Sequence, residues 1–300
     1  MSGADASATD PVVSPYLALV VAVLAVSTSA ILVRWSDAPN VIKALYRVTF
    51  TVGALAPLTA RRGGRWEQFD ARDGAVAVGA GALLAVHFLS WFESLDHTTV
   101  AASVTLVQAQ PVFVVVGAWL RLGERASRRA LLGIGVALVG MVGLTLGADA
   151  AASPTALGGA QYGNALALLG AVAAAGYVLA GRSLRRRLAV LPYVTVVYTA
   201  CAGVLLVAAV WQGYALLGYP PHEWALFVGM ALGPGVLGHT VVNWALGHVE
   251  SHVVSVTLLG EPVGSAALAA LLLAEVPTAG TLLAGAVVLA GIYVTAAARR

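Results

Sequence analysis

Glu261 stands inside an apolar run, Ser255-Val256-Thr257-Leu258-Leu259-Gly260-Glu261-Pro262. An ionised carboxylate embedded among apolar side chains costs on the order of several kcal/mol unless it is paired, protonated or hydrated. Two uses justify that cost: binding an amino or other cationic group, or carrying a proton. The competing reading is a neutral acid that hydrogen-bonds a neighbouring helix and only holds it in place. Pro262 removes a backbone donor beside it and loosens the helix locally.

A second set of polar residues lies in other apolar runs. Gln108 and Gln110 are two positions apart, roughly 200° on a helix, so one of them at most faces a common cavity with Glu261. Gln110, which precedes Pro111 as Glu261 precedes Pro262, is the favoured one. Lys43 and Arg47 are four apart and share a helical face. Lys43 reads as a snorkelling lysine near a helix end. Arg47 lies about two turns in, where it could attract an anionic group or lock a gate by pairing with Glu93 or Asp96. His87 shares a face with Trp91, and His239 with Asn243. An imidazole titrates near neutrality and could relay protons or bind a ligand. A packed helix–helix contact is the plainer reading of either histidine. Trp91 and Trp244 could stack a planar or cationic ligand, although their nearness to the ends of apolar runs favours interfacial anchoring.

Other features carry no chemistry. His248 and His252 have zinc-helix spacing, but Val249 stands where a zinc protease needs its glutamate, and no metal site is expected. The one lysine, Lys43, lies between Ile42 and Ala44, so there is no phosphate-cradling loop. The one cysteine, Cys201, excludes an intramolecular disulfide. No catalytic residue and no cofactor is expected. Glu124 and Glu275 read as helix-end partners for nearby bases, with a gating role as the alternative.

These residues need elements that hold them in an apolar medium. Of 300 residues, 59% are hydrophobic and 10% charged, against roughly 45–50% and 25% in soluble domains. Charges this sparse cannot cover a water-soluble globule, and the mean hydropathy of +0.86 agrees. The composition excludes a soluble enzyme, a disordered chain and a nucleic-acid-binding protein, and it makes the lipid bilayer the partner. A bilayer core takes about 20 mostly apolar residues per helix. Ten such runs are legible: 16–33, 42–60, 74–95, 99–120, 130–146, 162–181, 191–211, 223–246, 252–273 and 278–298. Arginine groups follow the second run (Arg61, Arg62, Arg65, Arg72), the fourth (Arg121, Arg125, Arg128, Arg129) and the sixth (Arg182, Arg185, Arg186, Arg187), and Arg299 and Arg300 end the chain. Asp37, Glu93, Asp96, Asp149 and Glu223 occupy the opposite loops. By the positive-inside rule both termini are cytoplasmic, in a multi-pass protein of the cytoplasmic membrane. The N-terminus lacks the basic region of a cleaved signal peptide, so the first span is expected to stay.

The polar stretch 147–161 divides the spans into two fives. The halves share an ordered pattern: His87, Ser103-Val104-Thr105-Leu106, Pro111 and Glu124 in the first, His239, Ser255-Val256-Thr257-Leu258, Pro262 and Glu275 in the second. An odd number of spans per repeat makes the second copy enter the membrane from the other side. The expectation is an all-α integral membrane protein of ten transmembrane helices as two inverted five-helix repeats. Residues 1–14 form a cytoplasmic tail, 15–147 the first repeat, 148–161 a non-cytoplasmic linker and 162–300 the second repeat.

At these residues the chain resembles the EamA-type family of the drug/metabolite transporter superfamily, over two copies of its domain. The first copy carries Leu45-Tyr46-Arg47, Pro111-Val112-Phe113, Leu122-Gly123-Glu124-Arg125 and a glycine-rich fifth span. The second carries Gly260-Glu261-Pro262-Val263 and Ala274-Glu275, and departs from the first where Tyr198 stands near the equivalent of Arg47. The resemblance implies a ten-helix carrier with a central cavity for a small organic substrate, amino acid-like or drug-like. Glu261, Gln110, Arg47, His87, His239, Trp91 and Asn243 are the candidate substrate-binding residues. With no nucleotide motif, a gradient must supply the energy, and a proton through Glu261 is the first candidate. Inverted repeats around a midplane site suit alternating access, and an exporter is favoured over an importer. Glu261 suggests an amino-bearing substrate and Arg47 an anionic one; a zwitterion satisfies both. The Gly-x-x-x-Gly pairs allow close helix packing and leave a homodimer open. Two other classes stay open: an integral membrane enzyme acting on a lipid or small metabolite, and a non-transporting partner subunit.

Overall fold

The computed structural model describes residues 14–61, 70–122, 127–147, 157–184, 188, 190–241 and 257–298. Every regular element among them is a helix. In order these are α1 (Pro15–Trp35), α2 (Asn40–Arg61), α3 (Ala71–His97), α4 (Val100–Val107), α5 (Gln110–Leu122), α6 (Arg128–Gly147), α7 (Leu157–Leu184), α8 (Val190–Trp211) and α9 (Pro221–Met230). Then come a π-helix (Ala231–Thr240), α10 (Gly260–Leu272) and α11 (Ala279–Ala297).

Local chemistry explains several boundaries. Pro15 and Pro221 open α1 and α9, where a missing N–H costs nothing. The Asp70 and Thr99 side chains cap α3 and α4 by accepting from the N–H groups of Asp73 and Ala102. Among the described residues, five segments have the length and apolarity to cross a bilayer: Tyr16–Trp35, Ala71–His97, Val100–Leu120, Gly159–Gly181 and Leu191–Trp211. Gly260–Leu272 and Ala279–Thr295 are shorter apolar helices.

Three of the runs read as single spans are not continuous α-helices among the described residues, the run 252–273 turning at Leu259. The run 99–120 breaks at Gln108-Ala109 into α4 and α5. Pro111 is the cause, because its ring crowds the carbonyl four residues back and its nitrogen cannot bond it. The run 223–246 starts as α9 but widens into the π-helix, which contains Pro234. Pi-type turns are one way a helix absorbs such an insertion.

Helices of the first half interlock with those of the second. α3 packs on α7 and α8, α2 on α8, α1 on the π-helix and α10, and α4 on α7 and α10. α6 and α11 pack closely along their length. A Cβ added at Gly140 would sit 2.6 Å from the backbone nitrogen of Val288, and one at Gly133 2.5 Å from that of Thr295. Glycine is required where two backbones approach this closely.

One end of the bundle is tied by polar bonds between the halves. Arg34 donates to Glu275 at 2.9 Å and to the Leu95 carbonyl at 2.6 Å. Glu275 also accepts from the Val100 N–H at 2.5 Å, at the start of α4. Buried Glu223 accepts from Ser36 Oγ at 2.5 Å and from the Asp37 N–H at 2.7 Å. Tyr46 lies stacked on Phe227 with centroids 5.0 Å apart and donates to the Leu216 carbonyl, which fixes α2 to α9. The connections after α1, α3, α8 and α10 therefore meet at one end, as alternating spans require.

Candidate functional site

The α4–α5 break sets up the interior. Without a proline N–H, the chain tightens: Ala109 N–H bonds the Leu106 carbonyl at 3.1 Å and Val112 N–H the Ala109 carbonyl at 2.9 Å. That turn swings the Gln108 side chain onto Glu261, whose Oε2 accepts from Nε2 at 2.5 Å. The opposite helix has a matching irregularity. The chain turns at Leu259 and α10 begins at Gly260, so Glu261 sits in its first turn. The partial positive charge at a helix start favours a carboxylate there. Ser27 of α1 holds this turn by donating to the Glu261 carbonyl at 3.4 Å, and Ser265 of α10 donates back to the Ser27 carbonyl at 3.1 Å.

Arg47 of α2 is buried opposite. One guanidinium nitrogen donates to Ser29 of α1 at 2.6 Å. Its carbon lies 4.8 Å from the Phe88 ring centre and 5.8 Å from those of Trp91 and Phe92. Cation–π contact offsets part of the cost of burying the charge. Arg47 and Glu261 lie within electrostatic reach of one another, yet no hydrogen bond or close ion pair joins them. The guanidinium and the carboxyl group thus lie in one interior region without touching.

His87 of α3 completes one wall. Its Nδ1 lies 2.9 Å from the Gly170 carbonyl of α7, and because a carbonyl only accepts, Nδ1 carries the proton. The ring stacks near Trp91 with centroids 6.0 Å apart. Trp91 lies inside the fold, 4% exposed, instead of anchoring at the interface. Its indole N–H is buried and without a partner among the described residues.

The structure thus brings Glu261, Arg47, His87 and Trp91 into one interior region. Gln110 is half-buried at the start of α5, and it is Gln108 that meets Glu261. Glu93 and Asp96 do not pair with Arg47; both accept from the Asn40 amide, at 2.8 and 2.6 Å. His239 belongs to the π-helix, but its side chain lies outside the described residues, as do Asn243, Trp244, Glu124, His248 and His252. Ser29 and Ser27, which position Arg47 and Glu261, had no signal in the sequence. They are common residues on a helix remote in the chain.

A family model described as the EamA-like transporter family matches the chain twice, over residues 13–146 and 161–297. The chain belongs to the EamA-like transporter family. The fold of this EamA-like transporter is similar to that of a solved structure described as "Crystal structure of protein". The two are 21% identical, with 95% of this chain and 98% of the other covered and a TM-score of 0.63. No curated protein matches the chain. The protein is accordingly an all-helical integral membrane protein of a transporter family, and the two matches give it two EamA domains.

Proposed function

We propose that the protein is a secondary transporter that moves a small organic metabolite, amino acid-like or drug-like, across the cytoplasmic membrane by alternating access, as an exporter. Ten spans form two inverted five-helix repeats, residues 15–147 and 162–300, joined by the non-cytoplasmic linker 148–161, with both termini cytoplasmic. The observation that carries this reading is the Gln108–Glu261 bond. It joins the two halves at matched helix breaks, each placed just before a proline. Broken helices at a repeat interface are a recurring way to present a substrate site in the membrane.

In this mechanism Arg47 attracts an anionic group of the substrate, and the aromatic faces of Phe88 and Trp91 pack beside it. Glu261 exchanges a proton as the halves rock, its ionised form steadied by Gln108 and the start of α10. His87, His239, Gln110 and Asn243 complete the path. Loading proteoliposomes with a pooled metabolite mixture and identifying what leaves tests the reading. A defined compound should leave, faster under an imposed pH gradient. Release of nothing, from protein inserted and folded, would overturn it.

A further inference from the structure

A polar cavity opens at the tied end of the bundle, away from the Arg47–Glu261 region. It encloses about 530 Å³ and is lined by Arg34, Asp37, Asn40, Lys43, Glu93 and Asp96, among others. Lys43 is 4% exposed and lines this cavity, and its side chain makes no hydrogen bond or close ion pair among the described residues. The ammonium is not sealed in the fold but opens on the cavity, where an anionic group can reach it. The surroundings refuse a simple anion, however. Asp96, Glu223, Asp37 and Glu93 all act electrostatically on Lys43. Arg34, the other base, is already engaged by Glu275. Carboxylates therefore outnumber free bases, and an ammonium group is attracted there as well.

A smaller cavity of about 270 Å³ adjoins it, sharing Asn40, Glu93 and Tyr214, and adds the apolar side chains of Val41, Leu89 and Leu166. We propose that this paired cavity is a second binding site, distinct from the central one, for a small zwitterion with a short apolar tail. The ammonium sits against Glu93 and Asp96, each of which gives one oxygen to Asn40, while the second Glu93 oxygen also faces His97 at 3.4 Å. The carboxylate accepts from Lys43, and the tail enters the Leu89–Leu166 side. Such a station would hold substrate at the mouth before or after passage.

The single native cysteine, Cys201, is buried, so a new one can report on the cavity alone. In a Cys201→Ala background, Tyr214→Cys places a thiol where both cavities meet. Maleimide labelling of purified protein in detergent is followed with three probes of matched skeleton: L-norvaline, pentanoate and n-butylamine. At about ten times its half-saturating concentration, L-norvaline should slow labelling about tenfold by mass action. Butylamine should need a higher concentration and pentanoate should not protect. Lys43→Met should remove the advantage of norvaline over butylamine. Glu93→Gln with Asp96→Asn should abolish protection by both, which keeps the test decisive if Lys43→Met fails to fold. Protection should survive Glu261→Gln. Equal protection by pentanoate, no protection by any probe, or protection lost in Glu261→Gln would each overturn the proposal. The last would place the ligand in the central site and leave the transport reading intact.

Discussion

Gln108 donates to Glu261 across the two halves, and that single bond makes the amide a better candidate than its spacing suggested. Gln108→Leu would leave the carboxyl without its neutral partner. A hydrogen bond to a charged group contributes about 1.5–3 kcal/mol, so flux through the Gln108→Leu protein should fall about 10- to 100-fold, measured as substrate release from proteoliposomes. Arg47→Lys keeps the charge but loses the planar fork and its stacking on Phe88. Substrate KM should rise about tenfold in that variant, with the protein still folded by size-exclusion chromatography; an unchanged KM would remove Arg47 from the substrate's path. At this scale the sequence was partly legible. Glu261 and Arg47 stand out because charges in apolar runs are expensive. Gln108 does not, because the 200° argument assumed a continuous helix and the chain turns between the two glutamines. The burial of Trp91 was also hidden, since distance along a span does not reveal which way a ring faces.

At the scale of elements, the proline breaks and the glycine contacts make opposite demands. Pro111→Ala restores a backbone donor and favours one continuous helix through residues 108–110. Gln108 then rotates away from Glu261, so flux should fall while the melting temperature holds or rises. A fall in both would mean the break serves packing only. Gly140→Val pushes a side chain into the α11 backbone at Val288. Overpacking of this kind costs about 1–3 kcal/mol, and the variant should melt earlier in detergent than wild type. The helical pattern was visible in the hydrophobic runs and Pro262 was read as loosening its helix, but the break before Pro111 was not foreseen, because 99–120 reads as one apolar span. The π-helical form of the stretch after α9 was not visible, because one proline among apolar residues is equally consistent with a kink.

For the whole molecule, the polar bonds at one end join four connections that the sequence assigns to the side opposite the arginine-rich loops. Most helices in the bundle pack mainly on helices far away in sequence, so the pairing of α1 with α10 or α3 with α7 could not be read from either segment alone. In a Cys201→Ala background, Tyr214→Cys should react with an impermeant maleimide added to intact cells, and Arg300→Cys only after lysis. Labelling of both from outside would contradict the inverted arrangement. The most direct measurement is flux of one identified substrate through wild type, Glu261→Gln and Arg47→Met in the same liposomes, with and without a pH gradient. Wild type should respond to the gradient, Glu261→Gln should lose that response, and Arg47→Met should lose flux altogether. Gradient-driven flux equal in all three proteins would contradict a transport site built between Arg47 and Glu261.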